Sequence, residues 1–546
     1  MANSTGSTPE TARGAAPAGG RAGLARVLSG FGTYAVAMST ICILSGGITS
    51  FHVGLCGAGG ASIGLGWPLG CLFALTVALT MAEVASAFPR AGGPYQWAVA
   101  LGGDGWGWVV GGFNLAGLVT ALAAVNMGLC QFAAGGIDRR PGDDPRGASP
   151  WVLATGAVLV TVSQAYLNHR GMRLTGLLTR LGAVLIVAVA FALTACLLAF
   201  PWVQGRPPDL ARLVTFANYS GPPGDGVWPS SGSPAWLFLL GLLLPAYTLT
   251  GFDASAQTAE ETIDPQRNVP RAIVRAVLVS GVSGWVLLSA LVLAAPDLGE
   301  SASKGAGSVF WILRGAIGPR PLRACLYAGI DVAQYVCGLA TLTAASRLAW
   351  ALARDDGLPC SRLLRRVGAH RTPSAAIWSV CASAVFFLVF VPYTAVAAVC
   401  ATFLNLAYVV PTVWGLLRHG RWPRTGPWRL GRWYRPLAVA SLAWCAVLTV
   451  IGVQPPNAIA LPIVGVLTAG LAVLWFVWAR HRFRPSLPDD PGPVASAAPP
   501  PPGDEVPLRS TPTSPGSTCA GVGLEPRPRE PHVALPVVQP DHPPDP

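Results

Sequence analysis

The sequence predicts an all-α integral membrane protein of about twelve transmembrane helices. Three observations carry that expectation. Hydrophobic residues make up 52% of the 546-residue chain and charged residues only 11%, where a soluble chain has about a quarter charged. Apolar stretches of about 18 residues or more recur along most of the length, each long enough to cross a bilayer core of about 30 Å. Basic residues gather in alternate loops, as they do in chains that cross a membrane repeatedly. Buried helices of a large soluble protein would be shorter and amphipathic.

The apolar stretches fall at 32–55, 62–87, 103–133, 151–167, 174–200, 234–258, 271–295, 321–352, 374–391, 395–417, 436–453 and 459–478. With a cytoplasmic N-terminus, the inner loops carry Arg90, then Arg170 and Arg173, then Arg267, Arg271 and Arg275. A block from Arg347 to Arg371 and another from Arg418 to Arg435 follow. With both tails this places 28 of the 37 basic residues inside. Outside, Arg139, Arg140 and Arg146 are interleaved with Asp138, Asp143 and Asp144. Only an even number of spans puts both arginine-bearing ends on one side. Twelve satisfies this, as would ten or fourteen. The expected location is the cell membrane, multi-pass, with both termini cytoplasmic.

Residues 1–30 read as a disordered cytoplasmic N-terminus without a cleavable signal, and 31–482 as the twelve-helix core. Residues 483–546, with the run Pro499 to Pro502, lack an apolar segment able to pack and read as a disordered Pro-rich tail. The net charge of +12 would suit nucleic acid or a membrane surface; its placement at helix ends assigns it to the membrane, and no nucleic acid partner is expected. The twelve cysteines form no C-x-x-C or Cys/His cluster, so neither a disulfide framework nor a metal site is indicated. No Walker loop, dinucleotide fingerprint or HExxH motif appears. No enzyme activity or cofactor is expected.

Two apolar segments are interrupted. The first, Met38 to Phe51, carries Ser45-Gly46-Gly47 at mid-membrane; the sixth, Leu244 to Gln257, carries Thr250-Gly251 and Asp253. Glycines can serve close helix packing. Interruptions at matching positions five helices apart point instead to broken helices around a binding site, and to an inverted repeat of spans 1–5 on 6–10. Spans 11 and 12 would be accessory. The half-helix after Gly46-Gly47 would offer amides to a carboxylate. The half-helix before Thr250-Gly251 would offer carbonyls to an ammonium group. Tyr247 is either a lid over such a ligand or a core aromatic. Asp253 carries a charge that costs about 2.5–3.5 kcal/mol at the bilayer centre on insertion scales. It could bind the ammonium, carry a coupling proton or cap the second half-helix.

The segment Pro245 to Glu261, followed by Asp264-Pro-Gln-Arg-Asn-Val-Pro-Arg271, resembles the sixth-helix signature of the amino acid–polyamine–organocation superfamily. It is most similar to the amino acid/choline transporter branch, which includes GABA and choline permeases. Glu83 to Trp97 and Ser346 to Pro359 resemble that superfamily's second-to-third helix loop and eighth-helix exit, and the three matches keep order and spacing. The resemblance implies a leucine-transporter-type 5+5 inverted repeat with helices 1 and 6 broken around a midplane site. Carried over by motif, Ser45, Gly46, Gly47 and Ile48 line the carboxylate side, and Tyr247, Thr250, Gly251 and Asp253 the amine side. Asn114 of the third helix is a further candidate. Gln257 is a departure from the family pattern, standing where branch members often have His or another residue, and it leaves a proton relay at this position open.

Other polar residues have two readings each. Arg347 either joins a cytoplasmic gate near Asp355 and Asp356 or anchors the helix at the membrane surface. Thr343 and Ser346 either line an ion site or pack the bundle. Arg180 either stands in for a cation or snorkels. The function expected is secondary active transport, by ion-coupled uptake or exchange, of an amino acid or related small amine such as GABA, choline or a polyamine, with H+ or Na+ as coupling ion. The alternative is a transporter-like nutrient sensor that binds the same ligands without flux.

Overall fold

The computed structural model describes residues 24–136, 149–222, 226–391 and 393–485. The expectations for residues 1–23, for the outer-loop charges between Asp138 and Arg146, and for the tail beyond 485 lie outside the described residues. The chain divides into a unit Met1–Leu487 and a second, Pro488–Pro546, of which no residue is described.

Among the described residues the first unit is α-helical throughout, and its one β-type pairing is a single bridge between Leu28 and Thr262. Ten helices are long and apolar enough to cross a membrane. They are α1 (Gly30–Thr49), α2 (Ser62–Ala87), α3 (Asp104–Gly136), α4 (Pro150–His169), α5 (Met172–Val203), α7 (Pro265–Ala294), α8 (Arg320–Arg354), α10 (Tyr393–Leu417), α11 (Tyr434–Gly452) and α12 (Asn457–Arg482). Two apolar helices are shorter, α6 (Pro234–Thr248) and α9 (Ser374–Phe390). The α8 apolar window is wholly buried, whereas only 6% of the α12 window is. So α8 is the axis of the bundle and α12 a rim helix with an apolar outer face.

The segments follow the sequence expectation in order and roughly in extent. α7 starts earlier, at Pro265 rather than 271, because proline at the first helical position gives up only an amide that would be unpaired there. Arg267 and Arg271 therefore sit on the helix.

Both breaks form. α1 stays helical through Ile41, turns at Cys42 (φ 29°) and resumes at Gly46. α6 ends at Thr248, runs non-helically to Asp253 with Gly251 at φ +85°, and resumes over Ala254–Gln257. The first break thus lies just ahead of the Gly-Gly pair, with Gly46 opening the second half. A Cβ on Gly46 would come 2.8 Å from Thr248 Cα, so the two broken helices touch backbone to side-chain-less backbone here. Gly47 is different: a Cβ there would meet only side chains at ordinary contact distance, Leu288 of α7 at 3.7 Å and Thr248 Cγ2 at 3.9 Å.

Both described ends of the chain meet at one end of the bundle. The Val27 and Leu28 amides donate to Glu261 O, each at 2.9 Å, and the Arg484 amide donates to Asp355 O at 3.1 Å. Arg354 Nη1, beside Asp355, lies 2.6 Å from Glu260 Oε1. That arrangement is the one an even number of crossings produces.

Arg347 is neither a surface anchor nor a partner of Asp355 and Asp356. It is fully buried and pairs with the equally buried Glu261, Nε to Oε2 at 3.0 Å and Nη2 to Oε1 at 3.3 Å. Its Nη1 donates to Ser346 Oγ and Asn168 Oδ1. Asp355 instead accepts from the Tyr95 hydroxyl and Gln96 Nε2, and Asp356 pairs with Arg365 at 3.3 Å. Arg180 is exposed and donates to Gly176 O within its own helix, so it snorkels.

Two stability predictions follow from these contacts. Gly46→Ala should lower the melting temperature in detergent more than Gly47→Ala, since only the first drives a Cβ into backbone; equal effects would remove the helix crossing as the reason for Gly46. Arg347→Met should cost about 3–5 kcal/mol because it strands the Glu261 charge. Arg347→Met with Glu261→Gln should recover part of that loss, and a double variant no more stable than the single one would show the pair to be uncoupled.

Candidate substrate site between the broken helices

The two breaks enclose a cavity of about 100 Å³ whose walls come from α1, α3, α6, α8 and α10. Of the residues singled out from sequence, Ser45, Gly46, Tyr247, Thr250 and Gly251 line it. Gly47, Ile48, Asn114 and Asp253 do not: the first two are buried toward the core, and the other two lie behind the α6 break.

Gly47 and Ile48 open the resumed half of α1 just beyond this wall. The Ser45 and Gly46 amides donate to Cys42 O at 2.8 and 3.1 Å, and the Thr49 amide to Ser45 O at 3.0 Å. Among the described residues the Gly47 and Ile48 amides have no backbone partner, as expected of the first turn of a helix. On the other side, the Leu249 amide bonds to Pro245 O at 2.8 Å and ends α6, leaving the Ala246, Tyr247 and Thr248 carbonyls past the last intrahelical bond.

Asp253 is fully buried, and both its oxygens are engaged. Tyr408 Oη of α10 donates to Oδ1 at 2.6 Å; Asn114 Nδ2 of α3 and Gln257 Nε2 each donate to Oδ2 at 3.1 Å. Tyr408 Oη in turn accepts from the Gly251 amide at 3.1 Å. Three donors thus converge on one carboxyl, and each bond uses it as acceptor. The capping role does not appear: the Asp253 side chain makes no cap hydrogen bond, and its carbonyl receives the Ala256 and Gln257 amides. Asn114 Oδ1 and Gln257 Oε1 are buried without a partner, so the network holds spare acceptors beside the carboxylate.

Sequence reasoning missed Tyr408 and Asn457. Asn457, in the turn opening α12, donates through Nδ2 to Tyr247 Oη at 3.0 Å. A second cavity of about 40 Å³ lies on the other side of α6, shares Tyr247, Thr250 and Ala401 with the first, and is walled in part by Trp444 and Leu448 of α11. The last two helices thus reach the site through Tyr247, where sequence reasoning made them accessory. The signal for Tyr408 was weak, one polar group among several in its run, with Thr402, Asn405 and Thr412. Thr343 and Ser346 sit elsewhere, in the Arg347 network: Thr343 Oγ1 donates to Asn168 Oδ1 at 2.8 Å.

Comparison with known proteins gives this arrangement a family. The profile of a family described as amino acid permease matches residues 28–478. The amino-acid permease BAT1 of Arabidopsis thaliana is 28% identical over 495 residues, covering 84% of this chain and 93% of that protein. Amino-acid permease 2 of Neurospora crassa is 28% identical, covering 85% and 87%. The GABA-specific permease of Saccharomyces cerevisiae is 27% identical, covering 78% and 74%. With the match running from before α1 into α12 and across both breaks, the chain belongs to the amino acid permease family, within the superfamily that its sixth-helix signature resembles, and is a multi-pass membrane protein.

Proposed function

We propose that the protein carries an amino acid across the cell membrane by secondary active transport, with alternating access to the cavity between the broken helices. The observation that carries this reading is the cavity itself, bounded at once by the start of the second half of α1 at Ser45 and Gly46 and by a helix end at Tyr247 and Thr248. Opposite helix ends carry about half a unit of opposite charge each, which suits an ammonium and a carboxylate held together. In this reading Ser45, Gly46, Gly47 and Ile48 hold the carboxylate, and Tyr247, Thr250 and Gly251 the amine. Asp253 and Asn114 set the conformation of the α6 break. Twelve crossings in a 5+5 inverted repeat, with both termini cytoplasmic, are supported by the paired breaks and by the meeting of the two chain ends. GABA enters the candidate substrates through the name of the yeast relative.

H+ is the coupling ion we favour over Na+. The hydroxyls that could have held Na+, on Thr343 and Ser346, are engaged with Asn168 and with the Arg347 guanidinium, itself a cation. Asp253 is a titratable group at the moving break, hydrogen-bonded to two other helices. Transport is favoured over sensing because the relatives are named as permeases. Counterflow of labelled amino acid in proteoliposomes separates the two, since a sensor would bind without flux.

Asp253→Asn replaces an acceptor-only group by one that cannot ionise and that turns an NH2 toward a donor. Uphill uptake driven by a proton gradient should fall by at least about tenfold while exchange persists, tenfold being about 1.4 kcal/mol. Wild-type accumulation in that variant would remove Asp253 from coupling. Replacing Na+ by choline in the wild-type assay should leave uptake unchanged; loss of uptake would return Na+ as the coupling ion.

Sidedness has its own test. Single cysteines at positions 356 and 425, in a cysteine-free background, should resist an impermeant maleimide in intact cells and react in inside-out vesicles. Labelling from outside would invert the topology.

A further inference from the structure

The charge of the substrate can be read from what the cavity lacks. None of the residues lining it is Asp, Glu, Lys, Arg or His. Its polar side chains are hydroxyls and thiols, among them Thr40, Ser45, Thr341 and Cys337. Asp253, two residues beyond Gly251 of this wall, does not line it and already accepts from three donors. The acids of the next turn are committed too, Glu261 to Arg347 and Glu260 to Arg354.

A buried charge without a counter-charge is strongly disfavoured. Helix ends compensate about half a charge each and of opposite sign. They balance one ammonium and one carboxylate on the same molecule and leave nothing for a third charge. A quaternary ammonium has a further requirement, a cage of aromatic rings. Tyr247 is the single aromatic among the lining residues.

The remaining wall sets the side chain. On α3 the lining includes Ala121, Ala124 and Gly128, which leave room, and Leu118 and Val125, which are apolar. We infer that the site takes net-neutral amino acid zwitterions with a small aliphatic or hydroxyl-bearing body. Lysine, arginine, glutamate, polyamines and choline are discriminated against by the absence of a balancing charge or aromatic cage. This rests on the transport site proposed above and deepens it.

The experiment is a charge panel on purified wild-type protein, read in two ways: thermal shift for binding and proteoliposome counterflow for flux. Alanine, serine, threonine and GABA are set against lysine, arginine, glutamate, putrescine and choline. The neutral group should contain the ligands, with apparent affinities at least about tenfold above any charged compound. A charged compound that binds and exchanges as well as the best neutral one overturns this inference and leaves transport standing. Binding confined to neutral zwitterions, with no counterflow, overturns transport and leaves the charge rule standing. Ala121→Asp adds one carboxylate to the α3 wall and should move preference toward lysine. If that variant folds and its ranking is unchanged, the inference is likewise overturned; the wild-type panel decides whether or not it folds.

Discussion

Inside a lipid-facing bundle, backbone polar groups must find partners within the protein, because no water is there to supply them. The whole site depends on how this constraint is met at two places where helices stop. At α1 the Cys42 turn folds the chain back on itself, with the Ser45 and Gly46 amides donating to Cys42 O. At α6 the stretch from Leu249 to Asp253 is steadied by side chains, the Gly251 amide by Tyr408 and the Asp253 carboxylate by Tyr408 of α10, Asn114 of α3 and Gln257 of the resumed half. The break in α1 is closed by its own turn and by α8, whose Gln334 Nε2 donates to Leu44 O at 3.4 Å; the break in α6 is held chiefly by side chains of α3 and α10.

Asp253 then has a structural consequence whatever chemistry it performs. Its carboxylate joins α3, α10 and the resumed half of α6, while the cavity lies on the other side of the break. A charge-assisted hydrogen bond is roughly twice as strong as a neutral one. Changing the charge at this junction therefore changes how firmly the α6 break is held, and the break forms one wall of the cavity. The coupling of ion to substrate can run through this shared piece of backbone without the two ever touching.

Much of this was legible in the sequence, and the limit is physical. Helix spans follow from run length, and both breaks from Gly46-Gly47 and Thr250-Gly251, because local conformation is a local property. The partners of the break are not local. Tyr408 is 155 residues from Asp253, and Asn457 is 210 from Tyr247. Nothing in an apolar run announces which polar side chain faces which gap. The same limit misassigned Arg347. Its position near Asp355 and Asp356 suggested a partner by sequence distance, whereas the helix carries those acids past it and brings Glu261 of another segment alongside.

The paired acids after α6 tie these observations together. Glu260 and Glu261 are adjacent in sequence, and their partners Arg354 and Arg347 lie seven residues apart, two turns along one face of α8. The upper pair is dry and shares Asn168; the lower is partly exposed and adjoins Asp355, which holds Tyr95, Gln96 and the backbone of Arg484. The Val27 and Leu28 amides bond to the carbonyl of Glu261 itself. One short stretch after the break thus binds the start of α1 and the end of α8, and the end of α8 in turn binds the backbone after α12. Any movement of the resumed half of α6 must break or carry these contacts together. Desolvation makes the dry pair costly to separate and the exposed pair cheap. In the alternating access proposed above, that difference would set the order of opening, with Glu260–Arg354 parting before Glu261–Arg347.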